Sequence, residues 1–137
     1  LTRENMQKVS ENYRIKYGMD YFIKLTVQKI LDRGVERAVI KELRKPEDIT
    51  TPRRRFGKDF AVIRINADSI VRFERLKKRG RPRDPSNFEQ FQAQEKKEEE
   101  LYFDKSLGME DYVITNNGSK EELFEQLDSL LKKIGFD

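Results

Sequence analysis

The segment Lys77-Lys78-Arg79-Gly80-Arg81-Pro82-Arg83-Asp84-Pro85 places five cations within seven residues. Gly80 and Pro82 keep the chain beyond Arg79 out of regular helix, so Arg79, Arg81 and Arg83 can converge on one anion. Guanidinium forks stay charged at any working pH and grip phosphate oxygens in pairs. In phosphoryl transfer such groups stabilise the charge that develops on the transferred group and on its leaving oxygen. The same residues also fit a solvated basic helix end that complements the helix dipole. Taken alone, they leave both readings open.

Two further constellations bear on chemistry. Pro52-Arg53-Arg54-Arg55 is a second cationic run, expected to form a solvated surface turn. Joined to the first run it could make a nucleic-acid stripe, but neither run carries the interleaved aromatic residues that stack on bases. The acidic residues between 95 and 100 would repel the same backbone, which argues against a nucleic-acid partner. Asn116-Asn117-Gly118-Ser119 follows an apolar run and reads as a βα loop. At the carboxyl edge of a parallel sheet it would stand where open α/β folds bind ligands. Neither G-x-x-x-x-G-K-[ST] nor G-x-G-x-x-G occurs in the sequence.

The 137 residues contain neither His nor Cys. This excludes Ser-His-Asp hydrolysis, cysteine proteases, thiolate or imidazole zinc sites and c-type haem attachment. Charged residues form 39% of the chain, yet 29 Lys and Arg against 25 Asp and Glu leave a net charge of only +4. Mean hydropathy is low, at −0.88, but nine Phe, five Tyr and periodic apolar segments argue for a packed core. No apolar run reaches the ~20 residues of a membrane span, and cytoplasm is the default location.

The elements that must position these residues follow from periodicity. Met6, Val9, Tyr13 and Tyr17 share one helix side, closed by Gly18. A second amphipathic helix carries Met19, Phe22, Ile23, Thr26, Val27, Ile30 and Leu31, and Gly34 ends it. Ala38-Val39-Ile40, Phe60-Ala61-Val62-Ile63-Arg64-Ile65 and Tyr112-Val113-Ile114-Thr115 read as strands covered on both faces. Asp68 can cap a helix that carries Ile70, Phe73 and Leu76 and stops at Gly80. Ser119-Lys120-Glu121-Glu122 is a capping box opening a helix striped by Leu123, Leu127, Leu130 and Ile134. A charged stretch over 84–105, anchored by Phe88, Phe91, Leu101 and Tyr102, is expected to contain a helix. The fold class is α/β, a parallel β-sheet flanked by helices. The chain is read as one domain, with a helical part at 1–34, a core at 35–76 and 108–137, and a lid-like region at 77–107.

Several segments in this order resemble the P-loop nucleoside monophosphate kinase group, especially the branch similar to adenylate kinase-like proteins and dephospho-coenzyme A kinase. They are Thr2-Arg3-Glu4-Asn5-Met6-Gln7, Tyr13-Arg14 with Tyr17-Gly18, Val39-Ile40 followed by Leu43-Arg44-Lys45-Pro46-Glu47, Asn66-Ala67-Asp68 followed by Arg72-Phe73-Glu74-Arg75-Leu76-Lys77-Lys78-Arg79, and Asp111-Tyr112-Val113-Ile114-Thr115-Asn116 with Gly118-Ser119. The resemblance implies a P-loop NTPase sheet and transfer of the γ-phosphoryl group of ATP, with Mg2+, to a small phosphate- or hydroxyl-bearing acceptor. It assigns Arg3, Arg14 and Arg44 to acceptor binding, Arg79, Arg81 and Arg83 to the lid, and Asn116, Gly118 and Ser119 to the neighbourhood of the donor base.

The chain departs from that pattern twice. The family's first strand and P-loop are missing, so an upstream segment of about 20 to 50 residues is expected to carry them, and without it the chain is expected to be inactive. Lys41-Glu42 stands where the family commonly has Asp-Gly. The alternatives are a non-catalytic kinase-like protein that binds a nucleotide or partner, and a nucleic-acid-binding module.

Overall fold

Glycine ends each of the two helices that open the chain, in a computed structural model that describes residues 3–81, 84–98 and 105–136. Helix α1 (Arg3–Tyr17) stops at Gly18, and α2 (Tyr21–Arg33) stops at Gly34. Gly34 has φ +58° and returns its N–H to the Leu31 carbonyl, a left-handed cap that a side chain would strain. Tyr13, Tyr17, Tyr21 and Phe22 join α1 to α2, with the Tyr17 and Tyr21 rings stacked at 4.9 Å. The chain divides into two compact units, residues 1–60 and 61–137.

The first unit is completed by α3 (Pro46–Phe56) and a 3-10 turn (Gly57–Asp59). Pro46 occupies the first helical turn, where its missing N–H costs nothing. The buried Asp48 carboxylate accepts the backbone N–H groups of Arg44 and Lys45 at 3.1 and 3.0 Å, which fixes where the helix starts. Ile23 and Val27 of α2 and Ile49 and Pro52 of α3 form the buried core. Each such side chain contributes on the order of 1.5–3 kcal/mol.

Two expectations fail in this unit. Pro52-Arg53-Arg54-Arg55 is not a surface turn: it forms the second half of α3, with Pro52 fully buried and the arginines in the last turn, where they complement the dipole. Ala38-Val39-Ile40 is not a strand either. The segment is irregular, and Val39 is 82% exposed. A strand exists only by pairing, and among the described residues two others pair with each other.

The second unit holds that sheet. Strands β1 (Ile63–Asn66) and β2 (Tyr112–Thr115) are parallel, with Ile63 opposite Tyr112 and Asn66 opposite Thr115. The run from Phe60 thus pairs only from Ile63 on, although Val62 is buried and its carbonyl accepts from Asp111 and Tyr112 at 2.9 and 3.1 Å. The Asp111 carboxylate accepts the Val62 N–H in return, at 2.8 Å.

Helices α4 (Ser69–Arg79) and α5 (Phe88–Glu98) intervene between the strands and share an aromatic cluster of Phe73, Phe88 and Phe91. The Arg72 guanidinium grips Glu95 across them at 2.6 and 2.7 Å. Asp68 stands at the N-cap of α4 as expected, but its side chain makes no capping bond there.

Helix α6 (Lys120–Lys133) packs on β2. Its Gln126 amide bonds Thr115 twice, accepting the backbone N–H at 3.1 Å and donating to the carbonyl at 2.8 Å. The architecture is α/β, six helices with a small parallel sheet of two strands. Among the described residues no helix is long and apolar enough to cross a membrane.

Candidate functional site

The carboxyl ends of β1 and β2 lie side by side, which brings residues 66–68 against residues 116–119. The Asn116 N–H donates to the Asn66 carbonyl at 2.6 Å, continuing the ladder one residue past β2. Beyond it, the Asn117 side-chain oxygen accepts the Asp68 N–H at 2.8 Å. Arg64 steadies the end of β1, donating to the Asn66 side-chain oxygen and to Glu110, both at 2.8 Å.

Arg75 then reaches across from α4. Its two terminal nitrogens donate to the carbonyls of Asn116 and Gly118 at 2.6 and 2.9 Å. Both terminal nitrogens are committed to shaping this loop, a role that the sequence reading did not assign to Arg75. Both carbonyls lie more than 40 residues away in the chain, so no local pattern could reveal the contact.

The loop ends in the expected capping box. The Ser119 Oγ accepts the Glu122 N–H, and the Glu122 carboxylate accepts the Ser119 N–H, both at 3.1 Å. Gly118 makes room for it, since a Cβ there would lie 1.5 Å from that carboxylate. Glu121 and Glu122 place negative charge in the first turn of α6. This end of the sheet therefore suits neutral hydrogen-bonding groups, such as a base or a sugar, better than phosphate.

The cationic segment follows α4, which ends at Gly80. Arg79 directs Nη2 and Nε at the Asp84 carboxylate, at 2.5 and 3.2 Å, and the Arg81 backbone N–H joins them at 3.1 Å. The hydrogen bonds from Arg79 hold the Asp84 carboxyl below its usual pKa and raise that of Arg79. The Arg81 side chain is exposed, and Arg83 lies outside the described residues. What meets on this carboxylate is the Arg79 guanidinium and the Arg81 backbone N–H, rather than a set of guanidinium forks on an outside anion.

Arg3, Arg14 and Arg44, expected from the resemblance to bind an acceptor, belong to the first unit. Arg3 opens α1, and its side chain lies outside the described residues. Arg14 donates from Nη1 to the Ser10 hydroxyl at 2.6 Å and sits 5.0 Å from the Phe22 ring centre, an arrangement of cation–π type. Its Nε is buried and, among the described residues, without a partner. Arg44 is half-buried just before α3. Sequence reading passed over a cleft of about 270 Å3 lined by Lys29, Arg33 and Arg37 together with Ile30, Val35 and Val39.

Among the described residues no three acidic groups cluster to hold a metal ion. Magnesium that arrives on nucleotide phosphates needs only one or two protein carboxylates, so the expectation of Mg-ATP does not depend on such a cluster. Lys41 and Glu42 are both exposed, and Glu42 has φ +64°.

Comparison with known proteins adds a family. No family model matches the chain, and no solved structure matches it at the stringency at which 27 other proteins do. The UPF0200 protein of Thermococcus onnurineus is 34% identical over 137 residues, covering 98% of this chain and 74% of that protein. The UPF0200 protein of Staphylothermus marinus is 32% identical over 137 residues, with coverages of 98% and 69%. The UPF0200/UPF0201 protein of Archaeoglobus fulgidus is 33% identical over 136 residues, and there the chain spans 42% of the relative's length. With a third of its residues shared across nearly its whole length, the chain belongs to the UPF0200 family.

Proposed function

We propose that this chain is part of a nucleotide kinase of the P-loop nucleoside monophosphate type, transferring the γ-phosphoryl group of Mg-ATP to a small acceptor. The observation that carries the reading is the pair of loops joined at the carboxyl edge of parallel strands, where α/β folds place nucleotides. Arg75, the Asn66–Asn116 bond and the Ser119 capping box hold those loops in one arrangement. Arg79, Arg81 and Arg83 supply the charge that a transferred phosphoryl group requires. Glu42 adds support, because its left-handed backbone is one that glycine favours, at the position where the resembled kinases carry the glycine of Asp-Gly.

A second reading, a kinase-like protein that binds nucleotide without turning it over, is favoured by Lys41. A cation stands there in place of the acid that would organise magnesium or acceptor. A coupled assay of the full-length protein with Mg-ATP, a panel of nucleoside monophosphates and dephospho-coenzyme A separates the two. Product formation, lowered more than about tenfold by Arg81→Ala, is the expected result. Thermal stabilisation by ATP without product for any acceptor establishes the second reading.

A further inference from the structure

We propose that the Arg79 guanidinium and the Arg81 backbone N–H form a phosphate subsite in which Asp84 is the resident occupant, and that a phosphate group binds by displacing it. The proposal rests on reading residues 77–85 as a phosphate-binding segment and adds how access to that segment is controlled.

Three N–H groups converge on the Asp84 carboxylate: Nε and Nη2 of Arg79, at 3.2 and 2.5 Å, and the N–H of Arg81, at 3.1 Å. A planar fork meeting two oxygens, with a backbone N–H shared on one of them, is the donor set a phosphate takes. Asp84 reaches it by local closure, its own N–H returning to the Arg81 carbonyl at 2.9 Å.

Charge argues that the occupant is exchangeable. One carboxylate faces Arg79, and the Arg81 side chain is exposed on the same segment. A polyphosphate brings several negative charges and further oxygens for those cations, which a single carboxylate cannot match. The pair is partly open to water, Arg79 keeping 43% and Asp84 13% of its side-chain surface, so solvent screening limits what breaking it costs. Pro85, next in the chain, is buried. Asp84 thus keeps the fork of Arg79 shaped for an anion and lowers the affinity of the resting protein for stray ones.

The test is calorimetric titration of the full-length protein with inorganic tripolyphosphate at fixed low ionic strength. Asp84→Asn is expected to bind about two- to fivefold tighter than the wild type, the worth of an exposed ion pair no longer broken, and Arg79→Ala is expected to bind weaker than both. Equal or weaker binding by Asp84→Asn, or no binding by either protein, overturns the proposal. A second measurement needs no variant. Carbon NMR of Asp84 in the wild type should show its carboxyl pKa rising toward the ordinary value when tripolyphosphate saturates, and an unmoved pKa under saturation also overturns it. The kinase reading fails on product formation instead, so the two failures are distinguishable.

Discussion

Replacing Arg75 with Met removes both donors that hold the loop after β2 while keeping the length and apolar stem of the side chain. The bonds to the Asn116 and Gly118 carbonyls, at 2.6 and 2.9 Å, come from a charged group, a class worth about 1.5–3 kcal/mol each. Arg75 is exposed, so the freed carbonyls regain water and the net loss falls to about 1.5 kcal/mol for the pair. That predicts a Tm lower by about 5 °C. It also predicts about tenfold faster hydrogen exchange at the amides of Asn116 and Ser119, which donate to the Asn66 carbonyl and the Glu122 carboxylate, when that loop opens locally. Arg75→Lys, a point charge that serves one carbonyl at a time, should lose about half as much. An unchanged Tm together with unchanged exchange at those two amides would refute the assignment of Arg75 as the residue that shapes this loop.

Glu42→Gly should raise stability by about 0.5–1 kcal/mol, as relief of a left-handed backbone outweighs the added freedom of the unfolded chain; urea denaturation that shows a loss would count against the strain. Ser119→Ala should cost about 1 kcal/mol and fray the start of α6, read by urea unfolding and by exchange at the Glu122 amide. Because the Asp84 carboxyl titrates below its unfolded value, its contribution is fully present above the unfolded carboxylate pKa of about 3.9 and is lost as the pH falls through the folded one. The stability gap between wild type and Asp84→Asn should therefore close below about pH 4, and a gap that persists in acid would show that the ion pair is not its source.

Features whose cause is local could be read from the sequence. Gly34 and Gly80 end helices because their own backbone angles do so, and the Ser119–Glu122 box spans only three residues. Helix α3 was hidden because Pro52 and three successive arginines look like a turn. Burial of Pro52, together with the Asp48 carboxylate that fixes the helix start, overrides that preference. Ala38-Val39-Ile40 misled in the opposite direction, because β-branched residues favour a strand only where a partner exists. At the candidate site, residue types located the loops and the cationic segment. The grip of Arg75 on a loop more than 40 residues away depends on three-dimensional closure that no spacing encodes, whereas the capture of Arg79 by Asp84 spans five residues and is passed over because the cations draw the reading toward an external anion.

The Gln126 amide does for β2 what another strand would do. It takes up both backbone groups of Thr115 on the side facing away from β1, so a foreign strand that slid along β2 would find its last rung already filled. Lateral growth of the sheet is therefore blocked at the end of β2. A Gln126→Ala protein should for that reason associate with itself more readily than the wild type on gentle heating, by a route that begins at Thr115.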